Sequence, residues 1–197
     1  MNYRETVAQI LRDRLAQEKR AVIMGPGVAD PKGIFGTTLA ARVAFPNRVL
    51  ETPVSENMLT GACVGMALEG WKPVFVHARA DFSLVSWEHI INTGAKIPFL
   101  HPDLDFNMTV RMLVGRGWGQ GPVHSQAFHH LLSGIPGVKV FYPVRPEGLV
   151  DIYTRAFAHK GVSVVFEPRR MYELTTCGLP RFQPTAHAEI LTFGDCV

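Results

Sequence analysis

Chemistry in this sequence is concentrated in four loop-like stretches: GPGVADPKGIFG (25–36), ETPVSEN (51–57), HARADFS (77–83) and GRGWGQGPVHSQ (115–126). Glu56 follows Ser55, which is placed to cap a helix that begins at once. An acidic residue in a first helical turn is favoured by the macrodipole by about 0.3–1 kcal/mol, so position alone favours a solvated glutamate over a catalytic one. The helix behind it separates the two readings. Gly61, Ala62, Gly65 and Ala67 suit close packing against another backbone, which predicts a buried helix start and a carboxylate held away from bulk water. His124 lies in the glycine-rich stretch beside Ser125 and Gln126, where an imidazole could exchange protons with a substrate. A lone loop histidine is more often a solvated one. Phe82 follows Asp81 at the head of a helix and by composition is a core aromatic.

Several other chemistries are excluded by spacing. Gly115, Gly117, Gly119 and Gly121 alternate strictly and no Lys-Ser or Lys-Thr follows, so this is not a P-loop; Gln120 also breaks a dinucleotide fingerprint, as Asp30 does after Gly25 and Gly27. What remains is a loop that needs unusual backbone angles. The eight histidines form no ligand set, because adjacent His129 and His130 cannot face one metal from a helix and no HxxxH or HExxH occurs. No metal-ligating residue is assigned in this chain. There is no GxSxG nucleophile elbow.

The loops must be carried by something. Short apolar runs at 21–24, 48–50, 73–77, 108–114, 138–141 and 162–166 read as strands. Val7, Ile10, Leu11 and Leu15 recur at helical spacing, and further helices are expected at 57–69, 84–95, 127–132 and 147–158. Such alternation predicts a three-layer α/β domain, a mostly parallel sheet covered by helices on both faces. Ligands then belong beyond the carboxyl ends of the strands, where the four stretches fall. With 197 residues, 47% hydrophobic and 19% charged, the chain suits one domain at 1–173 and a tail at 174–197 that begins another strand at 189–193.

Taken in order, TPVSEN, LTGACVGMALEGWKPVFVHARADF, INTGAKIP, GRGWGQGPVHSQAFHHLLSGIPGVKVFYPVRPEG and VVFEPRRMYE resemble the pyrimidine-binding domain of 2-oxoacid dehydrogenase beta subunits, a domain shared with transketolases. The resemblance is collinear from about residue 5 to residue 173. It implies thiamine diphosphate as cofactor. It also implies that Glu56 bonds the aminopyrimidine ring and controls its protons, that Phe82 stacks on the pyrimidine, that Val54 and Ala78 border the ring, and that His124 faces the reacting substrate. Glu56 and His124 are thus the expected catalytic residues, and Val54, Glu56, Ala78 and Phe82 the expected cofactor-binding ones.

In this family the diphosphate and Mg²⁺ are gripped through a GDG motif with a downstream Asn. This sequence has neither: Gly194-Asp195 is followed by Cys196. The resemblance therefore implies an alpha-type partner that carries the diphosphate and Mg²⁺ site, a shared active site, and self-association into a heterotetramer. The tail resembles the first strand of a C-terminal domain, and the resemblance leaves three expectations open for the rest of that domain: a separate polypeptide, loss, or truncation. The expected reaction acts on a 2-oxoacid or a ketose. A second reading, a noncatalytic assembly or regulatory subunit that keeps the fold, rests on the chain's end and on the small Ala78. A net charge of +3 with scattered Lys and Arg argues against nucleic acid. No run is apolar enough for a membrane. Cys63, Cys177 and Cys196 are odd in number and widely spaced, which fits the cytoplasm.

Overall fold

A computed structural model describes residues 1–115 and 120–175. Gly117 and Gly119, Cys177 and Cys196, and the strand expected at 189–193 lie outside these residues.

Six strands form one sheet in the order β2-β1-β3-β4-β6-β5. They are β1 (Ala21–Gly25), β2 (Val49–Glu51), β3 (Lys72–His77), β4 (Asn107–Val114), β5 (Val138–Phe141) and β6 (Gly161–Pro168). Every pairing is parallel, with Ile23 opposite Val49, Val74 opposite Thr109, and Arg111 opposite Val165. The expectation of a mostly parallel sheet is met in full. All residues of β1, β3, β4 and β6 are buried. A strand covered on both faces has no need to alternate polar with apolar residues, which is why these strands read as continuous apolar runs.

Helices α1 (Tyr3–Gln17), α2 (Leu39–Ala44) and α6 (Leu149–Ala158) accompany one core, built on Ile23, Val74, Val76, Leu113 and Val165. Helices α3 (Glu56–Leu68), α4 (Ile97–Leu100) and α5 (His129–Leu132) accompany the other, built on Met24, Phe75, Val110, Met112 and Val164. Successive strand residues enter opposite cores, as the pleat requires. Among the described residues, no helix is long and apolar enough to cross a membrane.

Three local features depart from the sequence reading. Periodicity assigned no element between 37 and 47, where α2 forms. The helix expected over 84–95 is instead a 3-10 turn (Ala80–Ser86), a π turn (Glu88–Thr93) and a second 3-10 turn (Gly94–Lys96). Packing explains the irregularity: a Cβ on Gly94 would lie 2.8 Å from Val162, and one on Gly61 of α3 would lie 2.9 Å from the His89 ring. The segment is pressed against both the sheet and α3, and a change of helical pitch lets both contacts form. Third, Ser55 caps α3 by position but makes no side-chain capping bond.

On the α1 side the first core holds a polar centre. Arg111 Nε and Nη2 donate to Glu167 Oε1 and Oε2 at 2.7 and 2.8 Å, and Nη2 reaches Thr37 Oγ1 at 3.2 Å. The Tyr172 hydroxyl donates to Oε2 at 2.6 Å, and the Tyr153 hydroxyl donates to Oε1. Arg111 and Glu167 are both fully buried. Burial opposes the charged carboxylate, but the adjoining guanidinium and the three donors prevail and hold Glu167 below its ordinary range.

Candidate active site

Because all strands are parallel, the chain leaves each of them at the same edge of the sheet. The strand order reverses at β1, whose neighbours are β2 and β3, so a crevice is expected between the carboxyl ends of β1 and β3. Gly25 ends β1 there. Its φ is +148°, and a Cβ would lie 2.4 Å from the Val76 carbonyl oxygen, so only glycine lets the two strands run this close. The loop that follows is clamped from β2: Glu51 accepts from the Gly27 and Ala29 amides at 2.5 and 2.7 Å. Ile34 and Phe35 take left-handed φ values of 44° and 58°, rare for side chains of this bulk. The Phe35 ring lies 5.5 Å from the Arg79 guanidinium carbon and 4.9 Å from that of Arg169.

Glu56 opens α3, immediately beyond β2 and its connecting turn. The residue is half-buried, and its carboxylate makes no hydrogen bond or ion pair among the described residues. Its backbone carbonyl accepts from Thr60 Oγ1 at 2.7 Å. The buried helix start expected from the small residues of α3 is not found. Val54 is 80% exposed and Met58 57% exposed, while Ala62 and Gly65 also face outward. Ala62 and Gly65 leave one side of the helix uncovered, while Ala67 is buried in the core and Gly61 packs against His89. Asn57 Nδ2 donates to the Val85 carbonyl at 2.7 Å, tying the helix start to the 80–86 turn, where Leu84 and Val85 are exposed too. Contiguous exposed apolar residues of this kind are a mark of contact with another molecule.

Phe82 and His124 come from different loops and meet. Their ring centroids are 5.4 Å apart at an interplanar angle of 88°, an edge-to-face pair, and both residues are half-buried. His124 closes a short 3-10 turn (Pro122–His124), and its Nδ1 is buried without a hydrogen-bond partner among the described residues. Sequence reasoning missed the contacts that bring this about. Arg79 Nη2 donates to Gln120 Oε1 at 2.9 Å, and Asp81 Oδ1 accepts from Gln126 Nε2 at 2.9 Å and from the Gln126 amide at 3.4 Å. Arg79 and Asp81 alternate with Ala78 and Ala80 in HARADFS, a charge pattern that was visible but had no partner within the linear sequence.

Ala78 is half-buried, packs toward the α1-side core, and its carbonyl accepts from its neighbour's Nη1 at 2.6 Å. The structure thus joins Phe82 to His124, places Glu56 and exposed Val54 on the adjoining helix start, and sets Ala78 at the end of β3. At that strand end His77 is 1% exposed, stands edge-to-face on Phe75 at 4.7 Å, and has no partner for either ring nitrogen among the described residues. Burial lowers its pKa to about 3, so it is a neutral imidazole. Among the described residues no group of three or more His, Cys, Asp or Glu side chains could hold a metal ion.

Comparison with known proteins fits this arrangement. The 2-oxoisovalerate dehydrogenase beta subunit of Bacillus subtilis is 26% identical over 200 residues, covering 99% of this chain and 61% of that protein. The mitochondrial 2-oxoisovalerate dehydrogenase beta subunit of Chaetomium thermophilum is 32% identical over 204 residues, covering 98% of this chain and 43% of its own length. The pyruvate dehydrogenase E1 beta subunit of Saccharomyces cerevisiae is 28% identical, covering 87% and 48%. The chain therefore spans about half the length of the curated relatives it matches. The same fold occurs in a split-gene transketolase solved as an inactive beta4 tetramer, with a TM-score of 0.71, 20% identity, and coverage of 93% of this chain and 56% of that one. With the edge of a parallel sheet carrying the glutamate, the aromatic and the histidine in that order, and with the transketolase pyrimidine-binding domain model matching residues 1–175, the chain belongs to the transketolase pyrimidine-binding domain family.

Proposed function

We propose that this chain is the beta-like component of a thiamine diphosphate-dependent enzyme that acts on a 2-oxoacid or a ketose, and that an alpha-type partner holds the diphosphate and Mg²⁺. The observation that carries this reading is Glu56: a half-buried residue whose carboxylate makes no bond among the described residues, at the start of a 13-residue helix and flanked in sequence by exposed apolar Val54 and Met58. An unpaired carboxylate beside apolar surface suits a polar heterocycle that arrives with a second protein surface.

The residues present fit the pyrimidine end of the cofactor. Glu56 would hold a proton against a ring nitrogen, Phe82 would offer an aromatic contact, and Val54 and Ala78 would border the ring. Thiamine diphosphate, when bound, supplies the carbanion chemistry that breaks or makes a carbon–carbon bond beside a carbonyl. His124 would face the substrate and move a proton at the reacting oxygen, since its Nδ1 has no competing partner among the described residues. Similarity to beta subunits of 2-oxoacid dehydrogenases supports a heterotetramer, and the exposed face of α3 gives it a surface to form on.

The test is calorimetric titration of thiamine diphosphate, with Mg²⁺, into the chain combined with a partner carrying GDG and a downstream Asn. Tight binding by the wild type, weakened in Glu56→Ala, supports the proposal. Equal binding by both would point to a noncatalytic assembly or regulatory subunit. Dye reduction driven by 2-oxoacids, set against ketol transfer between sugars, separates the two reaction classes.

A further inference from the structure

We propose that Asp81 is the positioning residue for His124: its buried carboxylate holds the returning arm of the glycine-rich loop through Gln126, so that the imidazole rests against Phe82. The inference rests on the function proposed above only in giving His124 a role in the reaction.

Asp81 is 9% exposed, yet Oδ1 takes two bonds from a single residue, the side-chain amide of Gln126 at 2.9 Å and its backbone N–H at 3.4 Å. Its Oδ2 is buried and has no partner among the described residues. A carboxylate withdrawn from water at this cost, with its hydrogen bonds aimed at one loop residue, is poorly explained by packing. Gln126 lies two positions after His124, and Phe82, which meets the His124 ring, lies one position after Asp81. One short stretch of HARADFS therefore grips the loop three times: Arg79 at Gln120, Phe82 at His124 and Asp81 at Gln126. The charge of Arg79 interacts favourably with that of Asp81, which offsets part of the burial cost.

Among the described residues, 120–126 have little else to fix them. Gly121, Pro122 and Val123 are exposed, and within the turn the His124 amide reaches the Gly121 carbonyl only at 3.4 Å. From below, Gly115 lets the loop lie close: a Cβ there would stand 2.7 Å from the His124 carbonyl oxygen. Gly115 sets how near the loop can come to β4. Asp81 supplies the directional bonds that fix where it stops.

The test uses the full chain, alone and then combined with its diphosphate-binding partner, in four forms: wild type, Asp81→Ala, Asp81→Asn and Gln126→Ala. In the chain alone, Asp81→Ala should speed amide hydrogen exchange across 120–126 by about ten- to hundredfold while the amides of β1, β3, β4 and β6 stay protected. The ring-current displacement of the His124 and Phe82 resonances should collapse in the same variant. Asp81→Asn keeps the accepting oxygen and should restore both readouts to within about threefold of wild type. Gln126→Ala removes the side-chain bond from the other side and should reproduce the loop effect even if Asp81→Ala fails to fold. In the complex, kcat should fall with Asp81→Ala while KM changes little, and Asp81→Asn should recover it.

Unchanged exchange in Asp81→Ala and Gln126→Ala would overturn the proposal. Faster exchange with an unaltered kcat would overturn it as well, since the loop would then move without consequence for the reaction. If the wild-type complex binds no thiamine diphosphate, the proposed function falls, and exchange and ring-current readouts on the chain alone still decide whether Asp81 holds the loop.

Discussion

The buried Arg111–Glu167 centre and the loop edge around Glu56, Phe82 and His124 handle polar groups in opposite ways. In the first, two charges are paired bidentately and joined by three hydroxyl groups inside a closed core, with only Arg111 Nη1 left without a partner among the described residues. In the second, among the described residues, the Glu56 carboxylate has no bond of its own and His124 Nδ1 and Asp81 Oδ2 are buried without partners, while apolar Val54 and Met58 face outward. Satisfied polar networks rigidify a fold, whereas buried polar groups left unsatisfied at an edge call for a specific explanation, a functional role among them. The difference teaches where to expect stability and where to expect function: substitutions in the first region should unfold the protein, and those in the second should spare the fold and cost activity.

The strongest test of that division is Glu167→Ala. It strands a fully buried guanidinium and should destabilise the chain by about 3–5 kcal/mol in urea denaturation. A loss near zero would mean that the centre is relieved by water, and the contrast would fail. Glu56→Gln should do the converse. Turnover of the complex should fall by about 10²–10⁴-fold, as for loss of a proton-transfer group, with denaturation midpoints unchanged to within about 0.5 kcal/mol. Loss of stability on that scale instead would move Glu56 into the structural class.

His77 sharpens the comparison, because it sits at the functional edge but is buried like a core residue. Its folded pKa is depressed to about 3, below the ordinary histidine value near 6.5, so the unfolded chain binds the proton first. Stability from a neutral His77 is therefore complete above about pH 6.5 and is lost as pH falls toward about 3, with a slope of about 1.4 kcal/mol per pH unit between them. His77→Phe should flatten that part of the stability profile relative to wild type. Parallel profiles for the two proteins would show that His77 takes up a proton in the folded state. The smallest effect expected is from Met58→Ala on the open face of α3: stability of the isolated chain should stay within about 0.5 kcal/mol, while assembly measured by ultracentrifugation weakens.

Much of the architecture could be read before any coordinates. Buried parallel strands advertise themselves as short apolar runs, and all six were placed within one or two residues of where they lie. The segment 80–96 could not be read in this way. Its 3-10 and π turns follow from contacts of Gly61 with His89 and of Gly94 with Val162, which local periodicity does not encode. The uncovered face of α3 was misread for a related reason: small residues announce a close neighbour without saying whether that neighbour is the same chain.

At the site, residue types alone marked Glu56 and His124 as candidates, because an acid at a helix start and a histidine among glycines are local facts, and left Phe82 as a core aromatic. The family resemblance gave those residues their expected roles. Only the tertiary structure brought Phe82 and His124 within 5.4 Å and showed Asp81 and Arg79 gripping the loop between them. The physical reason is one of range. Backbone preference and apolar patterning act over a few residues and so are written along the chain, whereas a hydrogen bond between residues 45 positions apart exists only once the strands have brought their ends together.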